Sequence, residues 1–315
     1  MQEPATPWGD RREAIINLNP AAHNVPSRER LNEADRYLLG QGWLATYQET
    51  SGPGDAIELA ARAAEAGIPL VFVCGGDGTL SEAANGLAGS ETALAHIPGG
   101  TSNLWAREVG FKRRPARAVE QAITGERRKI DLGRAGNRYF MLMAGYGIDA
   151  AVTQSVSLDV KSRVGAAAYA LASVREAVRF KGTEMSLVFD DEEVRGHVLM
   201  LIAGNTRLYA GITQITPEAV VDDGLLDVRV FMGRGRIDIM RFGLQTLFRR
   251  HRGSRRVVYR RVRRLRMDWD KPLPLQLDGD PCPDSPNEIN VCPGALWVAV
   301  PAGIKRHLFA EPAPP

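Results

Sequence analysis

Residues 69–82 read Pro-Leu-Val-Phe-Val-Cys-Gly-Gly-Asp-Gly-Thr-Leu-Ser-Glu. The first six residues form an uninterrupted apolar run, which is typical of a strand buried on both faces of a parallel sheet. Gly75-Gly76-Asp77-Gly78 follows at once, and we expect a helix to begin near Thr79 or Leu80. Glycines permit positive φ and let the backbone approach a bulky anion, and the free N–H groups at a helix start favour phosphate. This stretch therefore predicts a phosphate-binding turn.

The alternative is a tight turn without a ligand, because these glycines match neither the dinucleotide-binding G-x-G-x-x-G nor the Walker loop. A second turn, Ile97-Pro98-Gly99-Gly100-Thr101-Ser102-Asn103, favours the phosphate site. Open α/β sheets bind nucleotides where the carboxyl ends of neighbouring strands meet. Thr101 can cap a helix or donate to phosphate, and we expect Asn103 to donate and accept hydrogen bonds across the cleft. Asp77 repels phosphate, so a metal-bridging or orienting role suits it better.

The rest of the chain shows two patterns. From Glu13 to about Gly133, β-branched segments alternate with Ala- and Glu-rich helical ones, which indicates a layered α/β domain with a parallel sheet. From about Arg138, short alternating strands separated by turn residues indicate an antiparallel β domain, expected to be a sandwich. One helix-rich interruption is expected at 164–180. In the first domain we predict strands at 14–18, 45–48 and 69–74 and helices at 27–39 and 56–66.

The composition is that of an ordinary globular protein. The 315 residues are 44% hydrophobic and 24% charged, which excludes wholesale disorder and fits about two domains. A net charge of +3 is no nucleic-acid signature, and three cysteines are too few for a disulfide scaffold. The N-terminus lacks the features of a signal peptide, and no apolar run approaches the ~18 residues of a membrane span. We therefore expect a cytoplasmic protein whose membrane contact is peripheral.

Further motifs follow one another in a fixed order. Besides the two glycine turns they are Asn19-Pro20, Gly54-Asp55-Ala56, Ala106-Arg107, Gly147-Ile148-Asp149-Ala150, Asp222-Asp223-Gly224-Leu225-Leu226-Asp227 and Leu277-Asp278-Gly279-Asp280. With this set the chain resembles the diacylglycerol kinase catalytic domain family, which includes bacterial soluble lipid kinases, sphingosine kinases and ceramide kinases. The likeness extends over roughly residues 13–300. The first glycine turn alone is shared with NAD kinases and phosphofructokinases, whereas the ordered set is much more specific.

The resemblance implies an ATP-dependent lipid kinase. Its nucleotide-binding α/β N-terminal domain, like that of NAD kinase and phosphofructokinase, would comprise 13–133, and its antiparallel β-sandwich domain for the lipid 134–300. A tail, 301–315, would fray or pack back on the first domain. A Mg²⁺ ion would be held by the carboxylate of Asp223 and the carbonyls of Val220 and Leu225. The expected ATP contacts are Asn19, Pro20, Ala21, Ala22, His23, Thr50, Gly75, Gly76, Asp77, Gly78, Thr79, Leu80, Ser81, Thr101 and Asn103.

The resemblance also implies a catalytic base in the Leu-Asp-Gly-Glu motif of the family. This chain has Asp280 in place of the Glu, one methylene shorter, so either Asp278 or Asp280 would accept the proton of the lipid hydroxyl. Asp77 would help to hold the metal on the phosphates. Asp278-Gly279 is also a hairpin-turn signal, and Asp222-Asp223-Gly224 could be a plain β-turn.

The predicted reaction transfers the ATP γ-phosphate to a lipid hydroxyl. Diacylglycerol is the first candidate for that lipid. The Arg-rich stretch 249–266 could attract anionic headgroups, although the solvated face of β-strands explains part of it. Three other functions remain open: a sphingoid-base or ceramide kinase, an NAD-kinase-like enzyme with a soluble substrate, and an inactive lipid-binding homologue. A nucleic-acid binder driven by the arginines lacks a recognised module. An exposed sheet edge could pair two copies as a homodimer.

Overall fold

The computed structural model describes Trp8 and residues 11–155, 179–209, 213–247, 256–304 and 306–310, without the side chains of 155, 243–247 and 306. These residues belong to two compact units. The first unit comprises Met1–Leu132, Val220–Asp223 and Pro293–Pro315, and the second comprises Gly133–Ala219 and Gly224–Cys292. Two short segments of the expected second domain, 220–223 and 293–300, thus belong to the first unit. Most of the helix-rich segment expected at 164–180 lies outside the described residues.

The first unit contains a parallel sheet flanked by helices. The strand order is β2-β1-β3-β4, and the last strand of the chain adds Trp297 and Val298 beside β4, again in parallel. The predicted parallel α/β architecture is thereby confirmed. The elements are β1 (Glu13–Leu18), α1 (Arg28–Gly40), β2 (Leu44–Glu49), α2 (Asp55–Glu65), β3 (Leu70–Gly75), α3 (Asp77–Leu87), β4 (Ala93–Pro98), α4 (Leu104–Val109) and α5 (Pro115–Ile123).

Local sequence explains where these elements begin and end. Ser27 caps α1 by accepting from the Arg30 N–H at 3.5 Å, and Gly67 follows α2 with a φ of 64°. All six residues of β3 and of β4 are buried, as the apolar run predicts. The helix expected near Thr79 or Leu80 begins earlier, at Asp77, because the Leu80 N–H already donates to the Gly76 carbonyl.

The second unit is built mainly of antiparallel strands. Its described elements are β5 (Glu126–Ala135), β6 (Arg138–Phe140), β7 (Met143–Gly147), α6 (Ile148–Ser155), β8 (Thr183–Phe189), β9 (Glu192–Gly204), β10 (Leu208–Tyr209), β11 (Thr213–Gln214), β12 (Leu226–Met232), α7 (Arg236–Leu247), β13 (Val257–Val262), β14 (Arg264–Trp269), β15 (Leu275–Leu277), β16 (Asp280–Cys282) and β17 (Glu288–Val300). The first and the last of these strands, β5 and β17, are shared with the first unit.

The long strand β9 organises the second unit. It pairs antiparallel with β7, β8 and β12, while β15 joins β7, β14 joins β8 and β13 joins β12. This pairing confirms the predicted antiparallel β domain. Apolar side chains of β9 enter two buried clusters, one with Leu201 and Tyr146 and the other with Ile202, Phe231 and Phe242. Each fully buried Leu, Ile or Phe side chain contributes about 1.5–3 kcal/mol to folding.

Residues 306–310 of the tail pack within the first unit. The Val221 N–H donates to the Leu308 carbonyl at 2.9 Å, and the Ala310 N–H donates to Asp222 Oδ1 at 2.6 Å. Phe309 lies under the guanidinium of Arg128, 4.9 Å from the ring centre. None of the helices in the described ranges is long and apolar enough to span a membrane.

Candidate active site

The first glycine turn joins a buried strand directly to a helix. Strand β3 ends at Gly75, Gly76 is extended with φ −93° and ψ −176°, and α3 begins at Asp77. Among the described side chains none caps this helix start. The first N–H groups of a helix have no partner within it, and the helix dipole places partial positive charge there. The turn therefore presents backbone donors suited to a phosphate.

The second glycine turn touches the first at the backbone. The Gly99 N–H donates to the Gly75 carbonyl at 2.8 Å. A Cβ on Gly100 would lie 2.5 Å from the Gly76 Cα, a distance that real Cβ atoms essentially never show. The backbones of the two turns can therefore approach each other this closely only because residue 100 is a glycine. The expected meeting of the two turns at the carboxyl ends of β3 and β4 is what the structure shows.

Asn19 connects the end of β1 to the first turn. Its N–H donates to the Cys74 carbonyl at 3.0 Å, and its Nδ2 donates to Thr79 Oγ1 at 2.8 Å. Its Oδ1 accepts from the Ala21 N–H at 2.9 Å. Asn19 thus orients the Thr79 hydroxyl and holds Ala21 beside it, and His23 further along is exposed.

Two asparagines organise the second turn, and one of them was not predicted. The Asn24 N–H donates to the Gly99 carbonyl at 2.8 Å and its Nδ2 to the Gly100 carbonyl at 3.0 Å. Asn103, at φ 46°, accepts from the Gly100 N–H at 2.8 Å and donates to the Gly100 carbonyl at 2.7 Å. Since Asn103 is buried and its amide is occupied in its own turn, it shapes the turn rather than reaching across it. Thr101 lies exposed on the same turn.

Asp77 and His96 place ionisable groups beside the first turn. Asp77 is half-buried, and its Oδ1 accepts from the Trp105 N–H at 3.3 Å. The buried His96 lies 3.0 Å from the Gly75 carbonyl through Nε2, which must therefore carry the proton. Burial lowers the pKa of His96, against the opposing effects of the Gly75 hydrogen bond and the charge of Asp77. His96 is accordingly a neutral imidazole that holds Gly75.

The remaining residues predicted to contact ATP differ in how deeply they are buried. Pro20 is exposed and Ala22 and Gly78 are half-buried near the turns, whereas Thr50 is buried just after β2. The side chain of Leu80 is only 1% exposed, so Leu80 belongs to the core and offers a ligand no more than its backbone. Ser81 is also buried. The structure thus gathers Asn19–His23, Gly75–Thr79 and Thr101 at the carboxyl ends of β1, β3 and β4.

In the second unit, Asp278 and Gly279 form the turn of a hairpin. Their φ angles are 53° and 94°, which suits a type I′ turn, and Leu277 pairs with Asp280 across it. The Asp278 carboxylate accepts three backbone N–H groups, from Met141 at 2.7 Å and from Leu142 and Met143 at 2.8 Å each. Both oxygens of Asp278, one of the two carboxylates expected as the base, therefore accept hydrogen bonds that fold this loop.

A buried polar network adjoins this hairpin, and two of its members, Tyr209 and Gln276, belonged to no sequence motif. Asp149 Oδ2 accepts from Gln276 Nε2 at 2.8 Å, Asp149 Oδ1 accepts from the Tyr209 hydroxyl, and Gln276 Oε1 accepts from the Gly279 N–H at 2.6 Å. Burial raises the pKa of Asp149, and the hydrogen bonds from Tyr209 and Gln276 oppose that rise. A Cβ on Gly145 would lie 2.2 Å from Asp149 Oδ2, so a glycine is needed there. The network fixes the turn that precedes Asp280.

Asp280 itself is half-buried at the start of β16. Of the residues expected to hold Mg²⁺, Val220 and Asp223 belong to the first unit and Leu225 to the second, and all three are half-buried. In the part of the chain that the structure describes, no three His, Cys, Asp or Glu side chains cluster as metal ligands.

In the Arg-rich stretch, 249–255 lie outside the described residues. Four of the described arginines lie on β13 or β14, and Arg256 precedes β13; these five pair with acidic side chains. Arg260 contacts Glu192 at 2.5 Å, and Arg264 contacts Glu288 at 3.4 Å. The same holds for Arg256 with Asp238, Arg261 with Asp227 and Arg266 with Asp268. These pairs support the interpretation of this stretch as a strand face.

Comparison with known proteins agrees with this geometry. Residues 13–135 match the family described as diacylglycerol kinase catalytic domain, and residues 143–300 match the YegS C-terminal NAD kinase beta sandwich-like domain. The chain is 33% identical over 311 residues to a Chromohalobacter salexigens protein named "Probable lipid kinase YegS-like", with 96% of this chain and 98% of the relative aligned. It is 26% identical over 272 residues to the "Diacylglycerol kinase" of Bacillus subtilis, covering 85% and 90%.

A solved structure shares the fold. The crystal structure of a diacylglycerol kinase from Bacillus anthracis matches with a TM-score of 0.75 and 22% identity, covering 92% of this chain and 98% of that one. The predicted combination of an α/β domain and a β-sandwich is confirmed, and so is the resemblance drawn from the motifs. The chain therefore belongs to the family of lipid kinases that carry a diacylglycerol kinase catalytic domain followed by a YegS-type β-sandwich.

Proposed function

We propose that this protein transfers the γ-phosphate of ATP to the free hydroxyl of diacylglycerol, giving phosphatidic acid and ADP. The observation that carries the proposal is the backbone contact of the two glycine turns at the start of α3. The name of the Bacillus subtilis relative supports diacylglycerol as the acceptor. In this reaction the lipid oxygen bonds to the γ-phosphorus, the bond from that phosphorus to the β,γ-bridging oxygen breaks, and the hydroxyl proton passes to a base.

The first unit would supply the phosphate site. The N–H groups at the start of α3, of Asp77, Gly78 and Thr79, would bind phosphate oxygens, with the Thr101 hydroxyl on the second turn. Because Gly76 and Gly100 have no side chains, a triphosphate can approach the backbone of both turns. The residues present therefore fit the triphosphate of ATP. Asn19 would keep the Thr79 hydroxyl in a fixed orientation.

Mg²⁺ fits the donor chemistry of the residues proposed for it. Hard divalent cations prefer oxygen ligands, and Asp223 offers a carboxylate while Val220 and Leu225 offer carbonyls. Asp77 would hold a second, nucleotide-linked ion, directly or through water. Bound Mg²⁺ would neutralise negative charge on the phosphates.

We assign the general base to Asp280. Asp278 already accepts three N–H groups, and both oxygens of Asp149 accept side-chain hydrogen bonds. Asp280 follows the turn that Gln276 holds through the Gly279 N–H, so its backbone is well anchored. A carboxylate in this position can take the hydroxyl proton as the phosphorus–oxygen bond forms.

The test is transfer of label from γ-labelled ATP to diacylglycerol, sphingosine and ceramide in mixed micelles, with NAD as the soluble acceptor. We expect label in diacylglycerol, loss of transfer in Asp280→Asn and Asp77→Asn, and wild-type transfer in Asp284→Asn, an exposed acid four residues beyond Asp280. Loss of one general base typically costs about 10²–10⁴-fold in rate.

Each other outcome overturns a defined part of the proposal. Label in sphingosine or ceramide instead of diacylglycerol would change the lipid class, and label in NAD alone would favour the NAD-kinase-like function. ATP binding without transfer to any acceptor would favour a lipid-binding homologue. Full activity of Asp280→Asn would remove Asp280 from the role of base.

A further inference from the structure

Helix α7 of the second unit is attached by one face and exposes apolar side chains on the other. Ile239 and Phe242 pack against the buried cluster that contains Phe231, whose ring centre lies 5.2 Å from that of Phe242. Ile237 and Met240, three residues apart and hence on one side of the helix, are 78% and 67% exposed. Single exposed apolar residues are common, but an apolar pair rimmed by charge marks an interaction surface.

The rim of this apolar pair is basic. A cleft of about 800 Å³ beside the start of α7 is lined by the exposed Arg179, Lys181, Arg234 and Arg236. Arg241, the residue that follows Met240 in α7, is also exposed. The acidic side chains among them are Glu184, which pairs with Arg234 at 2.6 Å, and Asp238, which pairs with Arg256. Cations thus clearly outnumber carboxylates around Ile237 and Met240.

This combination of charges and apolar side chains suits one kind of partner. An anionic bilayer attracts each nearby Lys or Arg and accepts apolar side chains at the level of its headgroups. A nucleic-acid backbone would use the cations but leave Ile237 and Met240 in water. Strands β13 and β14 also carry several arginines, but no pair of exposed apolar side chains lies among those arginines.

We propose that Ile237 and Met240, together with Arg179, Lys181, Arg234, Arg236 and Arg241, form a docking face for anionic lipid bilayers. The inference rests on the proposed function only in that a membrane holds the lipid substrate. Docking itself requires neither ATP nor phosphoryl transfer, so the two are tested separately. The docking face lies in the unit to which Asp280 belongs.

The experiment is co-sedimentation of the full chain, without ATP, with vesicles of phosphatidylcholine alone or mixed with phosphatidylglycerol. We expect binding to the mixed vesicles only, weakened by added salt because surface charges are screened. Arg236→Gln with Arg241→Gln should lower the partition coefficient by about tenfold or more, given the contribution of each cation near an anionic surface. Ile237→Asp with Met240→Asp should lower it by a similar factor.

The matched control is Leu39→Asp, which places the same charge at a 65% exposed apolar residue of the first unit and should bind as wild type. Unchanged melting temperatures would show that the paired variants are folded. Kinase activity on lipid in detergent micelles should persist in them, whereas activity on vesicles should fall.

Equal binding to neutral vesicles, or wild-type vesicle binding by both paired variants, would overturn the docking face. Loss of self-association in Ile237→Asp with Met240→Asp, with vesicle binding intact, would make the surface a contact between copies instead. Binding to single-stranded DNA that needs the arginines but not Ile237 and Met240, without vesicle binding, would make it a nucleic-acid surface. Vesicle binding without kinase activity on any lipid would refute the proposed function and leave the docking face standing.

Discussion

Substitution of Gly100 by alanine tests the contact between the two glycine turns. Its Cβ would lie 2.5 Å from the Gly76 Cα and 3.0 Å from Asn103 Oδ1, and ordinary contacts begin at 3.4 Å. The turns must therefore separate by about 1 Å, because the obstructing atom belongs to backbone and cannot rotate away. The hydrogen bond of 2.8 Å from the Gly99 N–H to the Gly75 carbonyl would then exceed bonding range.

Two magnitudes follow from this separation. Forcing extra atoms into a packed site costs about 1–3 kcal/mol, and a domain of this size loses about 2–4 °C of melting temperature per kcal/mol. A misplacement of about 1 Å at a reaction centre can cost about 10²-fold in rate. We therefore expect Gly100→Ala to melt several degrees lower, to bind ATP more weakly and to lose about two orders of magnitude in kcat/KM for ATP.

The assays are thermal unfolding, calorimetric titration with ATP and steady-state kinetics. The matched control is Gly52→Ala, since a Cβ there meets no atom within 4 Å and its φ is not positive. Reduced stability with wild-type ATP affinity and rate would refute the assignment of the phosphates to these turns. Wild-type stability of Gly100→Ala would refute the packing argument itself.

Three further predictions concern other buried groups. Asp278→Ala should lower the free energy of unfolding by at least about 3 kcal/mol, because three charge-assisted hydrogen bonds are lost, and Asp278→Asn should cost less, as urea titration would show. Gly145→Ala would place a Cβ 2.2 Å from Asp149 Oδ2; kinetics should show a lower kcat with an unchanged KM for ATP. Burial lowers the pKa of His96. The free energy of unfolding should therefore fall as the pH drops below 6.5, the ordinary pKa of histidine. The decrease is at most about 1.4 kcal/mol per pH unit. His96→Gln should lack that contribution between about pH 7 and pH 5 in urea titrations.

Each of these predictions has a contradicting result. Equal stability of the two Asp278 variants and wild type would mean that the three amides find other partners. A Gly145→Ala variant with raised KM for ATP and unchanged kcat would show that Asp149 does not position the hairpin that carries Asp280. The sign for His96 follows from its lowered pKa: the unfolded chain takes up the proton first, so acid favours unfolding. Equal pH dependence of wild type and His96→Gln would refute a neutral buried ring.

Features decided by neighbouring residues were predictable from the sequence. The apolar run of β3 and the glycines after it specify a buried strand and a close turn, because side-chain periodicity and backbone freedom act within a few residues. Asp278-Gly279 specified a hairpin turn for the same reason, since its two residues adopt positive φ. The start of α3 was predicted two to three residues late because Asp77-Gly78 has weak helix propensity, which the Gly76 carbonyl bond overrides.

Roles that depend on distant partners were decided only by the tertiary structure. The sequence by itself offers Asp278 and Asp280 as equivalent carboxylates, and it is the approach of 141–143, more than 130 residues away, that occupies Asp278. Gln276 gains its role in the same way, since strand pairing brings it to Asp149. A side chain's chemistry is set by its type, but its available oxygens and protons are set by what the fold packs against it.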